Sequence, residues 1–221
     1  MIYTNAARIV TADGEIQSIT KNGVTLWERL VPADYEELEY ISAANSQYFF
    51  VNGFYLKSTS IVTVKMRFSG SAGNCYGCYT GSSAQDNFCL YGGASNANAY
   101  IRYDGELDRA FMATANTDYT IEHSADGFKA NGTSYATFAA KTFTCSNPFG
   151  VGQQSGSSSA KFSGRIYDIT VVDSNAESLH LIPVRRISTS QVGMYDIVGR
   201  AFYVSQSSTP FVAGPDKYAA A

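Results

Sequence analysis

Charge is scarce in this chain: only 16% of its 221 residues are Asp, Glu, Lys or Arg, against roughly 25% in an average soluble domain. The formal net charge is -3, so the electrostatic footprint of a nucleic-acid binder is missing. No run of about 18 apolar residues occurs, and no segment reads as a membrane-spanning helix. Phosphate loops, dinucleotide fingerprints and calcium-hand loops are absent as motifs, so no cofactor is expected. Repeats and heptads are missing too, and no segment longer than about ten residues has helical periodicity. The strongest helix candidate is Ala33 to Glu39, with Asp34 as a cap.

Aromatics fill the space that charge leaves, with 16 Tyr and 13 Phe but one Trp. The hydrophobic fraction of 45% is too high, and the net charge too small, for a disordered chain. Abundant Tyr, Thr, Val and Gly favour sheet over a helical bundle. The length suits one large all-β domain with a small appendage.

Residues 1 to 30 read as that appendage. Strands at Ala7–Thr11, Glu15–Thr20 and Val24–Glu28 are joined by Asp13-Gly14 and by Asn22-Gly23, a strong hairpin signal. Ile16 and Ile19 lie three apart and need a bulge or kink to share a face. A three-strand meander buries too little to stand alone, so it should dock on the main domain or on another chain. A linker around Val31-Pro32-Ala33 leads to a domain spanning 33–215, and 216–221 is expected to be a frayed tail. Met1–Arg8 has no basic segment leading into an apolar one, which speaks against a secretory signal and for retention in the cytoplasm or assembly into a particle.

Cys75-x-x-Cys78 invites a zinc or redox reading, but no second pair accompanies it. The segment reads as a strand, where Cys75 and Cys78 face opposite ways and share neither a metal nor a disulfide. All four cysteines, including Cys89 and Cys145, are expected as small apolar core residues kept reduced.

From Ser60 onward the chain is a run of short strands. Ser60–Phe68 alternates cleanly, placing Val62, Val64, Met66 and Phe68 on one face. Asn131-Gly132 marks a tight hairpin, which also explains an apparent glycosylation sequon at Asn131. Further strands fall at 88–91, 99–103, 110–114, 117–124, 128–130, 134–138, 149–152, 164–173, 177–183, 193–197 and 201–204, with a flexible loop at 152–160. Pro183 should end its strand. More than ten short strands give an all-β sandwich or barrel.

Pro32-Ala-Asp-Tyr-Glu-Glu-Leu-Glu-Tyr-Ile-Ser-Ala-Ala-Asn-Ser-Gln-Tyr48 resembles the opening of a concanavalin A-like (laminin-G-like) jelly-roll domain. That family is common in tail-associated and other structural proteins of phages and prophages of gut Firmicutes. Lys161–Val171, Leu181–Arg185, Gly193–Tyr203 and Phe211–Pro215 resemble its closing half, and Ile16–Trp27 resembles its short β-leader. The resemblance implies a jelly-roll sandwich in a virion protein, a homo-oligomer such as a trimer, and contacts with other virion proteins. It says little about ligand, because this fold hosts lectins, glycosidases and structural modules alike.

A glycosidase of this fold would need two carboxyls about 5 Å apart on alternate strand positions. Glu106-Leu-Asp108 comes nearest, yet a third carboxylate is missing, and no nucleophile elbow is present, so an enzyme is not expected. His123 and His180 are expected as structural or surface residues, and no ligand spacing singles out Asp104, Asp108 or Asp126 for calcium. Sugar binding needs less: an aromatic platform and a few polar groups on a rigid scaffold. Tyr91, Asn96, Tyr100, Arg102 and Asp104, with Gln153 from the 152–160 loop, form the candidate site for a host cell-surface glycan. Tyr100, Arg102 and Asp104 alternate and should share a face opposite Ile101 and Tyr103. The competing reading makes these tyrosines cover a hydrophobic flank or a subunit contact, in a purely structural capsid-decoration or tail-assembly protein.

Overall fold

A computed structural model describes residues 10–11, 14–15, 18–21, 24–28, 30–44, 46–69, 73–80, 85–92, 98–156 and 161–218. Among them strands are the regular structure, and no helix occurs. The N-terminal strands are β1 (Val10–Thr11), β2 (Gly14–Glu15), β3 (Ser18–Lys21) and β4 (Val24–Glu28). β1 pairs with β2, and β3 with β4, with Lys21 opposite Val24 across the expected Asn22-Gly23. The expected three-strand meander is therefore two separate ladders among the described residues. Glu15 pairs with β1 and Ser18 with β4, so the pairing changes partner within the expected strand Glu15–Thr20.

The sandwich follows with β5 (Tyr35–Glu37), β6 (Ile41–Ala44), β7 (Phe49–Val51), β8 (Ile61–Phe68) and β9 (Asn74–Cys78). Then come β10 (Phe88–Gly92), β11 (Asn98–Tyr103), β12 (Glu106–Met112), β13 (Asp118–Ser124), β14 (Gly127–Ala130) and β15 (Thr133–Ala136). The last six are β16 (Phe149–Val151), β17 (Ser163–Asp173), β18 (Ala176–Arg186), β19 (Val192–Asp196), β20 (Ala201–Val204) and β21 (Val212–Ala213). One layer is a six-stranded antiparallel sheet in the order β12-β11-β10-β9-β16-β7. The other runs β15-β14-β13-β8-β17-β18-β19-β20, with β5 beside β18, β6 beside β17 and β21 on β6. This is the expected all-β jelly-roll sandwich.

β8 shows how the sequence selects the layer. Val62, Val64, Met66 and Phe68 are buried, while Thr63, Lys65 and Arg67 alternate outward, as the period-2 pattern requires. Between the sheets lie Phe49, Phe68, Phe88, Phe128, Phe149, Phe162, Tyr76 and Tyr103, all fully buried. Each such ring contributes roughly 1.5–3 kcal/mol on leaving water. Tyr103 satisfies its polar tip by donating to the Ser58 carbonyl at 3.0 Å. The hairpin turn at Asn131-Gly132 falls where expected, with positive φ angles of 49° and 79°, and Asp104-Gly105 makes a second such turn with 48° and 82°. Asn131 also accepts from Thr120 N–H at 2.8 Å, so turn geometry accounts for that residue.

Several expectations are corrected. Residues 33–39 form no helix: Tyr35–Glu37 is a strand against Val184–Arg186, because Tyr35 gains ring contacts with Tyr195 at 4.9 Å and Phe202 at 5.2 Å. Asp34 accepts from Arg186 Nε and Ser188 N–H instead of capping a turn. Val31, read as linker, is buried in that same small cluster. Pro183 lies inside β18, where the strand exchanges β17 for β5 as neighbour, so its missing N–H costs no ladder bond.

Cys78 and Cys145 form a disulfide with Cα atoms 6.4 Å apart, whereas Cys75 and Cys89 are buried and take no part in a disulfide. The expectation of four reduced cysteines fails for Cys78 and Cys145, because opposite strand faces exclude only a Cys75–Cys78 bond. Residues 152–156 are packed rather than flexible: Gly152 N–H donates to Cys75 O, and Ser155 N–H to Gly77 O. Residues 216–218 also pack, with Lys217 N–H donating to Glu37 O.

Candidate functional site

The register of the six-stranded sheet builds its outer face. Phe50, Gly150, Gly77, Cys89 and Arg102 stand opposite one another across five strands, from β7 to β11. Three small residues in that row, Gly150, Gly77 and Cys89, are buried and leave room for the groups packed over them. Gly77 could carry no side chain: its φ is +114°, and a Cβ would run into the Phe88 carbonyl and Cys89. Arg102 therefore lies down along the row and is only 6% exposed. Its guanidinium sits 5.3 Å from the Tyr79 ring centre and 5.8 Å from that of Tyr91, within cation–π range. In the next row Tyr91 pairs with Tyr100, their rings stacked at 5.6 Å and 27°. Ile101 and Tyr103 point into the core, as the alternation requires.

The structure thus gathers three of the six expected residues, Tyr91, Tyr100 and Arg102, and adds Tyr79. Arg102 Nη2 donates to the Tyr91 hydroxyl at 3.5 Å. Burial raises the Tyr91 pKa, with Arg102 acting against the rise, so the phenol keeps its proton at neutral pH. Chemically this is a flat aromatic surface with phenolic donors at its edge and a guanidinium set into it.

Asp104 does not continue the alternation. It occupies the turn after β11 with φ 48°, accepts from Asp86 N–H at 3.2 Å and faces Lys141 at 3.6 Å. Gln153 lies in the segment that crosses above Gly150, where a Cβ would meet Gln153 O and Ser155 N. Asn96 falls outside the described residues, as do the side chains of Glu106 and Asp108.

His123 is enclosed by rings, with Phe88 at 4.1 Å, Phe138 at 5.9 Å and Phe128 at 6.1 Å. Burial pushes its pKa down to about 3, so it is a neutral core residue. His180 is half-buried between Asp168 at 3.0 Å and Glu177 at 2.8 Å, and the hydrogen bond to Asp168 raises its pKa.

A second concavity, missed in the sequence, lies on the outer face of the larger sheet. This cleft of about 290 Å³ lies among β5, β8, β17, β18 and Lys217. Its wall includes Tyr167 because β17 bulges there: Ile166 pairs with Met66 and Asp168 with Lys65, leaving Tyr167 as the extra residue. Both Ile166 and Ile169 are buried. Two inward isoleucines three positions apart were a readable sign that Tyr167-Asp168 would face outward together.

No protein-family model matches the chain, and no curated protein matches it. Among solved structures it is similar to a proposed carbohydrate-binding protein from Bacteroides ovatus, with a TM-score of 0.54 at 15% identity. The match covers 80% of this chain and 62% of that one, so the chain spans under two thirds of its length. At this identity the likeness is one of fold, a two-sheet β-sandwich.

Proposed function

We propose that this chain is a lectin-like, non-catalytic carbohydrate-binding module that uses the outer face of the six-stranded sheet. The observation that carries the reading is the cluster of Tyr79, Tyr91 and Tyr100 around the nearly buried guanidinium of Arg102. Such a surface offers ring faces to sugar C–H groups and fixed donors to sugar hydroxyls, with little side-chain entropy left to lose. The solved structure of similar fold is itself a proposed carbohydrate-binding protein, which agrees with this reading. The segment crossing above Gly150 narrows the same face, which favours binding over the long cleft of a glycosidase.

We further propose that the module works on a phage or prophage virion, in a tail or fibre, and attaches it to a host-surface glycan. That setting rests on the resemblance of Pro32–Tyr48 and the closing segments to such proteins. The ladders β1–β2 and β3–β4 are then the segment that docks on other virion proteins or on further copies of the chain. A glycan array with the wild-type protein, Tyr100→Ala and Arg102→Ala, followed by host-cell adsorption, tests both steps. Binding that falls by about tenfold or more in the variants supports the module. Wild-type protein that binds no glycan and no cell supports the structural-protein reading instead.

A further inference from the structure

The cleft on the larger sheet has a composition that restricts what can fill it. Glu37 is 6% exposed; its Oε2 pairs with Lys217 at 2.9 Å, while its Oε1 has no hydrogen-bond donor. A buried carboxylate oxygen without a donor is costly. Asp168 and Glu39 bring two further carboxylates to the walls, and Lys65 brings an ammonium. Leu38, Ile182 and Pro183 supply an apolar floor. Tyr167 is held in place from outside the cleft, its hydroxyl bonded to Asp118 and its ring 5.6 Å from Tyr40. Lys65 Nζ lies 5.5 Å from the centre of the Tyr167 ring.

Each simple ligand class fails against part of this surface. An anion would meet three carboxylates. A compact cation would meet Lys65 and Lys217, and would leave the apolar floor uncovered. An apolar ligand would seal Glu37 Oε1 away from any donor. A ligand that donates and accepts through the same groups, and that also carries a C–H face, satisfies all of it. We propose that this cleft is a second ligand site that takes a single saccharide ring, with hydroxyls on Glu37 and Asp168 and the C–H face against Tyr167. The volume fits one ring rather than a chain, since it lies at the lower limit of the roughly 300–1,000 Å³ of ligand sites.

This inference does not depend on the tyrosine–arginine surface of the other sheet, and the test separates the two. Amide resonances of the whole chain are followed by NMR during titration with glucose, galactose and N-acetylglucosamine, and separately with methylammonium. The expected result is saturable shifts at Lys65, Tyr167, Asp168 and Lys217 with at least one sugar. Tyr167→Ala should weaken that response by about tenfold, while Tyr100→Ala leaves it unchanged. Glu39→Gln serves as a second variant on the cleft wall, and a spectrum that otherwise superimposes on wild type establishes that each variant is folded. Sugar shifts confined to the six-stranded sheet would overturn the proposal, as would shifts at the cleft with methylammonium alone.

Discussion

At the scale of single residues, the two histidines pull stability in opposite directions with pH. His123 resists protonation among its rings, with a folded-state pKa of about 3 against an ordinary 6.5. Below pH 6.5 the unfolded chain takes up a proton that the folded chain refuses, so stability falls as pH drops toward 3. At pH 5 the loss is on the order of 2 kcal/mol from this group. His180 behaves inversely: its raised pKa stabilises fully below 6.5, and that contribution is lost as pH rises through the folded value. Urea unfolding of wild type and His123→Phe at pH 7 and pH 5 isolates the first effect, because every other group cancels in the comparison. The wild type should lose about 2 kcal/mol more than the variant between the two pH values. Equal losses would mean that the imidazole is not sequestered. Asp118 stays ionised to a lower pH than either histidine concerns, since the bidentate Arg67 guanidinium holds its carboxyl at about 2.

At the scale of elements, period-2 alternation made β8 legible residue by residue, and Asp-Gly and Asn-Gly pairs located the hairpins. Where local pattern failed, a distant contact had decided the outcome. Tyr35–Glu37 has helix-compatible neighbours, but its strand conformation is set by β18, some 150 residues away. The face-sharing of Tyr100 and Arg102 was readable, whereas the loop position of Asp104 depended on a turn conformation that ended the alternation. The Cys78–Cys145 bond was hidden for the same reason, since its partners are 67 residues apart. Closing a loop of that size removes unfolded-state freedom worth about 4 kcal/mol. Thiol titration of the unreduced, denatured protein should therefore count two thiols, Cys75 and Cys89. The Cys78→Ser/Cys145→Ser double variant should unfold about 4 kcal/mol more easily. A count of four thiols would contradict the bond.

At the scale of the molecule, the scarce charge and abundant aromatic residues have a common explanation. Two sheets meeting face to face bury eight Phe and Tyr rings completely, and among the described residues the charged groups lie on the outer faces and rims. The cluster of Val31, Tyr35, Ile182, Val184 and Tyr195 adds a small second core on one such outer face, which composition alone could not foreshadow. The entry and exit of the sandwich lie side by side. Leu38 bridges Asp216, Glu39 N–H donates to Pro215 O, and Lys217 N–H donates to Glu37 O. A circular permutant that joins residue 218 to residue 30 through a short glycine–serine linker, reopened at the exposed Asn52-Gly53 turn, should keep the wild-type fold by circular dichroism and thermal melting. Collapse of that permutant would show that the order of the strands in the chain, and not only their packing, is needed.

The same antiparallel seam fixes how the domain meets mechanical load. Tension applied through the segments before Glu37 and after Lys217 enters at one end of the seam and opens its hydrogen bonds one after another, instead of shearing them together. The bonds between residues 37–39 and 215–217 are peeled from the Lys217 end, while the segment before Glu37 is held by the β5–β18 pairing and the Tyr35 ring contacts. A chain pulled at both ends of this seam would first release a few residues of slack at its C-terminal edge, and only then load the two sheets.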